Sequence, residues 1–552
     1  MKTADLVLYS KAIFDSVEDT VFDGAVAVEG NKIVYAASRE GVRGFIGYGT
    51  RVLDFGSGLI MPGFFDAHQH YQTTAVREFG TCIRHLEHCR SEDETVAGVV
   101  KYLREHPDYR RVHGRCFFMT SWGKTPAEPT KASLDAAVPD IPVYMLSSSG
   151  HSAWLNSAAM KECDLPGLID RHPEWDPGWV RRDSSGDPTG FLCENASYTV
   201  RYMVETYDQE EYARWDRQYM QMLSRLGITS ISDCNCLYPR MQMDIIEPIK
   251  RMEADGTLTI RFHQFSGGPI GGNLDGSADK ALDDLLYMSR CFDSDKLRVA
   301  GCKYLIDGVP DTYTGAMLEP YHGRPETDGS AMQEDPEILR QMVIKANSMG
   351  FPVMIHCMGD RSVKTAVDAF EESYKLNGPM RNRLEHMNQI SDEDIRRMAR
   401  YGIIASVQPA HLVDWLGPMG ETIYGSEKYA KDSPYRTLID AGVRIAVGTD
   451  SPVVGVEPLR TVYEAVTRKR YDDGIPVGAD SCQTMTLGEA LKAYTIGAAF
   501  AANFEGKAGS LETGKLADII VLDRNLFAGG PEEIRRAKNI CTVFDGKIVY
   551  MA

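Results

Sequence analysis

Eight short apolar runs, most of them followed by a helical pattern, predict an α/β fold organised as a (β/α)8 TIM barrel. β-rich stretches at both chain ends predict a small β-sandwich domain formed from the two termini. A gap too long for a βα connection predicts a subdomain inserted after strand 1.

The N-terminal piece holds 4-ADLVLYSKAIFD-15 and 22-FDGAVAVEGNKIVYAA-37, the second broken at Glu29-Gly30-Asn31 as a hairpin is. The C-terminal piece, 516-LADIIVLDRN-525 and 539-NICTVFDGKIVYMA-552, has the same texture and a turn signal at Asp545-Gly546. Neither is long enough to close a core alone. Residues 1–58 and 505–552 are therefore expected to combine, with 59–504 forming the barrel.

The barrel strands are expected at 59-LIMPGFFDAH-68, 228-ITSISD-233, 258-LTIRFHQF-265, 297-LRVAGCKYLID-307, 351-FPVMIHC-357, 383-RLEHM-387, 403-IIASVQP-409 and 443-VRIAVGTD-450. Between them, 334-EDPEILRQMVIKANSMG-350 places Ile338, Met342, Val343 and Ala346 on one helical stripe and stops at Gly350. Ser391 reads as an N-cap with acids in the first turn, and Gly402 sits where that helix stops. The gap from about residue 71 to 226 reads as an insertion at the catalytic face, where loops after barrel strands open.

With 552 residues, 43% apolar and 25% charged, the composition is that of a soluble globular protein with a large core. The formal charge of −18 is spread along the chain. It disfavours nucleic acid or an anionic membrane as partner and leaves the reaction open. The start, MKTADLVLYSKAIF, lacks an apolar signal region, so a cytoplasmic protein is expected. Twelve cysteines are scattered without a C-x-x-C pair, Cys234 and Cys236 being the closest two; a reduced state is expected.

In a barrel the strand ends converge on one mouth. His68 and His70 close the first run, and side chains at i and i+2 of an extended segment point to the same side. Alone, the pair is as readily a polar loop. Lys303, His356, His386 and Asp450, each near the end of another expected strand, give it company. Neutral imidazoles and a carboxylate suit zinc or a similar divalent metal, and a catalytic site keeps one position open for water. One metal lowers the pKa of bound water to about 7, and a second, ~3.5 to 4 Å away, polarises the carbonyl under attack. Hydrolysis is the reaction this equipment suits.

The stretches 61-MPGFFDAHQH-70, 147-SSSGHSAWLNSAAM-160, 303-KYLIDG-308, 355-IHCMGDR-361, 383-RLEHMNQI-390, 447-VGTDSPV-453 and 509-GSLETGKLADIIVLD-523 resemble the amidohydrolase superfamily. Within it they are similar to the YtcJ-like or amidohydrolase-3 branch, which includes N-substituted formamide deformylases. The resemblance implies that His68, His70, His356, His386 and Asp450 bind one or two divalent ions, with zinc expected. It implies a carbamate on Lys303 bridging them, hydrolysis of an amide-like C–N bond (N-acyl, N-formyl or related), Asp450 as acid–base residue, and a homodimer. Hydrolytic deaminases of the superfamily carry a glutamate three residues after the fifth-strand histidine, where this chain has Gly359. The alternatives are a mononuclear hydrolase of cyclic amides, esters or deaminase type, and a non-catalytic scaffold.

For the pocket, the expected substrate-binding residues are Tyr71, Trp122, His151 and His411. Aromatic residues such as Trp122 and Trp154 favour an apolar or aromatic substituent, or simply pack under a lid. His151 is a candidate donor to a developing oxyanion, and equally a structural hydrogen-bonded histidine.

Overall fold

The computed structural model describes all residues except 1–2, 124–126, 176–177, 206, 235–238, 268–277, 326, 328–331, 333–334, 418 and 479–481. Eight parallel strands stand side by side in chain order: Phe64–Gln69, Ile228–Asp233, Arg261–Gly267, Leu297–Leu305, Val353–Cys357, Arg383–His386, Ile404–Val407 and Ile445–Val447. The last meets the first through Asp450 N–H to His68 O (2.7 Å) and His70 N–H to Ser451 O (2.9 Å). Both strand faces are covered, so that every residue of Phe64–Gln69, Ile228–Asp233, Arg261–Gly267, Val353–Cys357, Arg383–His386 and Ile404–Val407 is buried, polar ones included. Ile355 and Leu384 face the same core as helix residues Val363, Ala366 and Phe370.

The run at 59–68 is shared between two sheets, which the sequence reading did not anticipate. Leu59–Pro62 pairs antiparallel with Ile519–Leu522, while Phe64–Gln69 opens the barrel. Gly63 makes the transition, because a Cβ there would stand 2.2 Å from Thr229 Oγ1. The strands of the two termini belong to one eight-stranded hydrogen-bonded sheet. Arg261 ties it to the barrel, its Nε 2.6 Å from Asp518 Oδ2 and its Nη2 3.0 Å from Asp545 Oδ1.

Helix Pro336–Ser348 is capped by the Asp335 side chain and buries Leu339, Met342, Val343 and Ala346. Ile338, expected on that stripe, points outward at 45% exposure. The Ser391 side chain accepts from Asp394 N–H at 3.1 Å, and Gly402 ends the helix at φ +68°.

Between barrel strands 1 and 2, helices Tyr71–Phe79 and Gln209–Leu226 pack on one another against the barrel. Between those helices lies a separate five-stranded sheet of Val112–Phe117, Val143–Ser147, Ser152–Leu155, Val180–Arg182 and Pro188–Cys193. Its strands alternate as a sheet covered on both sides must: Val143 and Met145 enter one apolar cluster, Tyr144 and Leu146 the other. No helix among the described residues is long and apolar enough to cross a membrane. The described cysteines are mostly buried; Cys236 lies outside the described residues.

Candidate metal centre

Two groups of side chains converge on the two oxygens of one carboxylate. His68 Nε2 stands 3.4 Å and His70 Nε2 3.0 Å from Asp450 Oδ1. On the other side, His411 Nε2 lies 3.3 Å and His386 Nδ1 3.9 Å from Asp450 Oδ2. Within each group the candidate ligand atoms lie within 4.8 Å of one another. Lys303 is buried on the fourth strand, its Nζ 3.5 Å from His68 Nε2.

The barrel fixes these rings through the strands that carry them. His68 Nδ1 hydrogen-bonds the buried Glu385 carboxylate, whose other oxygen is 2.8 Å from Arg383 Nε. Such a partner sets ring orientation and leaves the opposite nitrogen for a metal. Gln408 Oε1 takes His386 Nδ1 at 2.7 Å, so Nε2 is the nitrogen this ring has left for a metal, and the 3.9 Å approach of Nδ1 to Asp450 is a ring contact and not a ligand direction. Asp66 accepts from Thr449 N–H (2.9 Å) and Thr449 Oγ1 (2.6 Å), locking strand 1 to the loop that presents Asp450.

His386 (φ +71°) and Asp450 (φ +59°) are non-glycine residues in the left-handed region, which costs on the order of 1–3 kcal/mol each. Hydrogen bonds such as Asp450 N–H to His68 O hold that conformation. Strain retained at two converging side chains points to use of the site.

Burial lowers the pKa of His68, His356 and His386, and pushes His70 down to about 4 even though that side chain keeps 23% exposure. These imidazoles are neutral near pH 7, the form that offers a lone pair. Burial works to raise Asp450, but His68, His411 and His70 hold it well below the usual carboxylate range. Neutral nitrogens around an anionic oxygen are a donor set that fits a divalent metal.

His356 borders the same cavity, of about 60 Å³, but its ligand atoms fall outside both groups. Its Nε2 is 3.1 Å from Gly308 O, and its ring stacks on His151 at 5.2 Å. His151, also lining the cavity, has Nδ1 2.8 Å from both Glu194 Oε2 and Tyr198 OH.

Two expectations about the pocket, Tyr71 and Trp122, are corrected. Tyr71 is fully buried beneath the barrel helices, its hydroxyl donating to Asp216 O at 3.1 Å, because the turn after His70 starts a helix that rotates this ring into the core. Trp122 stacks on Phe117 at 5.7 Å and packs edge-on to Trp154 in the inserted sheet's own cluster, so the Trp pair is packing and borders neither described cavity. His411, expected to touch substrate, stands beside Asp450 at the start of a π-helical turn, His411–Leu416. Glu385, Gln408, Glu194 and Arg115 escaped the sequence reading. An acid inside the apolar run 383-RLEHM-387 was the one available signal for Glu385.

A nearly closed parallel barrel with imidazoles and an aspartate gathered at its mouth presents a donor set that fits a divalent metal. The chain belongs to the amidohydrolase family, whose pattern it matches over residues 51–550. It is 27% identical over 535 residues to the N-substituted formamide deformylase of Arthrobacter pascens, covering 95% of this chain and 94% of that one. It is also 27% identical over 558 residues to the protein LONG AFTER FAR-RED 3 of Arabidopsis thaliana, covering 99% and 92%. The fold is shared with an uncharacterized metal-dependent hydrolase from Pyrococcus horikoshii OT3 at a TM-score of 0.72 and 22% identity, covering 96% and 99%.

Proposed function

We propose that the protein hydrolyses an amide-like C–N bond of a small molecule, N-formyl or N-acyl, with zinc at the Asp450 cluster. The observation that carries the reading is the convergence of His68, His70, His386 and His411 on the two oxygens of Asp450, with His68, His70, His386 and Asp450 lining one cavity. The formamide deformylase relative supports an amide substrate. A divalent metal bound there supplies Lewis acidity toward the carbonyl and acidifies a water.

The chain's own residues do the rest. Asp450, anionic and buried, accepts the proton of the attacking water and returns it to the leaving nitrogen. His151, oriented by Glu194 and Tyr198, faces the cavity where a developing oxyanion needs a donor. Lys303, 3.5 Å from His68 Nε2, would be the residue to carry a carbamate if the site held two ions. A one-metal reading is favoured by His356, whose ligand atoms fall outside both groups of candidate ligands.

Elemental analysis of zinc-loaded protein, followed by a screen of N-formyl, N-acyl and cyclic amides, tests the reading. The expected result is hydrolysis of N-formyl or N-acyl compounds, with metal stoichiometry deciding between one ion and two. Full metal content without turnover of any amide would sink it.

A further inference from the structure

The cavity beside Asp450 is lined on its inserted-domain side by Arg115 and Arg201. Arg115 lies on strand Val112–Phe117, where it pairs with Leu146 on the face opposite Val112; a pairing shift just after it returns Cys116 and Phe117 to the insert's apolar cluster with Val112. The residue is 7% exposed, and its guanidinium has no hydrogen bond or ion pair among the described residues; Nε is fully buried without a partner. It packs over the backbone of Gly150, where a Cβ would stand 2.9 Å from Nη1. At φ +85° this position favours glycine, and it leads directly into His151.

The neighbouring charges do not neutralise Arg115. Glu205 is engaged by Arg201, with Nε to Oε2 at 2.5 Å, and Arg201 Nη2 also donates to Thr73 Oγ1 at 2.9 Å. Two guanidinium groups and one carboxylate leave a net positive charge. Burial, with Arg201 adding to it, pushes Arg115 down to about 10, so the group stays charged at neutral pH while lacking an anion of its own. Among the described residues lining the cavity, the acidic one is Asp450, which is turned to the imidazoles. A buried arginine fork without a partner is built for a planar oxyanion.

We propose that Arg115 binds a carboxylate of the substrate, so that the amide hydrolysed is that of a small acid, an N-acyl or N-formyl amino acid in chemical class. This inference rests on the amide-hydrolase reading above. It also replaces the apolar substituent expected from the aromatic residues of the insertion.

The test uses zinc-loaded enzyme and a panel of N-formyl and N-acetyl amino acids, each paired with its own neutral carboxamide. The wild type should favour the acid of a productive pair by about 100-fold in kcat/KM, the scale expected when a buried charge would otherwise go unpaired. Arg115→Met should collapse that ratio toward one, chiefly through KM. Arg115→Lys, which keeps a charge but no fork, should fall between. Circular dichroism and zinc content check that the variants are folded and loaded. Neutral amides turned over as well as acids would overturn the inference and leave the amide-hydrolase reading standing. If no member of any pair is hydrolysed, that reading fails, and calorimetric titration with the same acids decides Arg115 independently. Binding seen in the wild type and lost in Arg115→Met supports it; equal binding of acids and carboxamides overturns it.

Discussion

The two walls of the cavity are built on different principles. On the barrel side, the rings and loop that face Asp450 are held by side chains behind them: Glu385 holds His68, Gln408 holds His386, and Asp66 holds the loop of Asp450. On the inserted side, His151 is held by Glu194 and Tyr198, but Arg115 stands without a partner among the described residues. The barrel wall is complete for chemistry; the inserted wall is incomplete without a ligand. A fold that separates the two keeps the reaction constant while the insertion selects what reacts.

The largest expected effect breaks the barrel wall at its centre. Asp450→Asn keeps an oxygen beside one histidine pair, puts an NH2 beside the other, and cannot take a proton. Turnover should fall about 10²–10⁴-fold while most of the metal stays bound. Lys303→Ala should lose both metal and activity if a carbamate bridges two ions, and a small added carboxylic acid should restore part of each. Full activity and metal content in Lys303→Ala would leave a mononuclear site at His68, His70 and Asp450. Kinetics and elemental analysis on the same preparations separate these outcomes.

The barrel wall was largely legible in the sequence and the inserted wall was not, for a geometric reason. Strand ends of a parallel barrel must converge, so His68, His70, Lys303, His386 and Asp450 could be placed at one mouth from chain order alone. Strand Ile228–Asp233 coincides with its expected limits; the others shift by a few residues at their ends. Nothing comparable constrains an insertion. Arg115 reaches the cavity only because a sheet built from residues 112–193 turns one face toward the barrel, and no local pattern announces which face. The tryptophans misled because size and aromaticity serve a core as well as a pocket. His411 was noticed, but its place beside Asp450 depends on a π-helical turn that spacing does not reveal.

A milder perturbation reaches the barrel wall through its support. Glu385→Gln keeps the shape of the partner of His68 Nδ1 but removes its charge and strands Arg383, whose Nε faces the other oxygen. Metal affinity should drop about 10- to 100-fold, measured by competition with a chelator, with less effect on turnover at saturating zinc. An unchanged affinity would mean that the strands alone orient His68.

Acid tests the same wall without mutation. In metal-free protein the folded state keeps His68, His70, His356 and His386 neutral below their ordinary value of 6.5, whereas the unfolded chain takes up protons there. The unfolded state therefore binds more protons as pH falls from 6.5 toward 4, and stability should decline through that window. Zinc, which also excludes protons from these rings, should extend the decline to lower pH. Thermal melts of metal-free and zinc-loaded protein across pH 7 to 4 read both effects, and His70→Asn should flatten part of the metal-free slope.

The smallest catalytic effect is expected deepest in the insertion. Trp122 is half-buried, stacked on Phe117 and edge-on to Trp154, in the apolar cluster on one face of the sheet that carries Arg115. Truncation to alanine leaves a void under that sheet and should cost about 2–4 kcal/mol of stability, seen as an earlier melting step. The ligand-facing groups lie on the other side of strand Val112–Phe117, so kcat/KM should stay within about threefold and the preference for acids over their carboxamides should persist. If Trp122→Ala instead erased that preference at a temperature where the protein is folded, the inserted wall would depend on its core as tightly as the barrel wall depends on Glu385. The two walls would then differ in what they recognise, and no longer in how they are held.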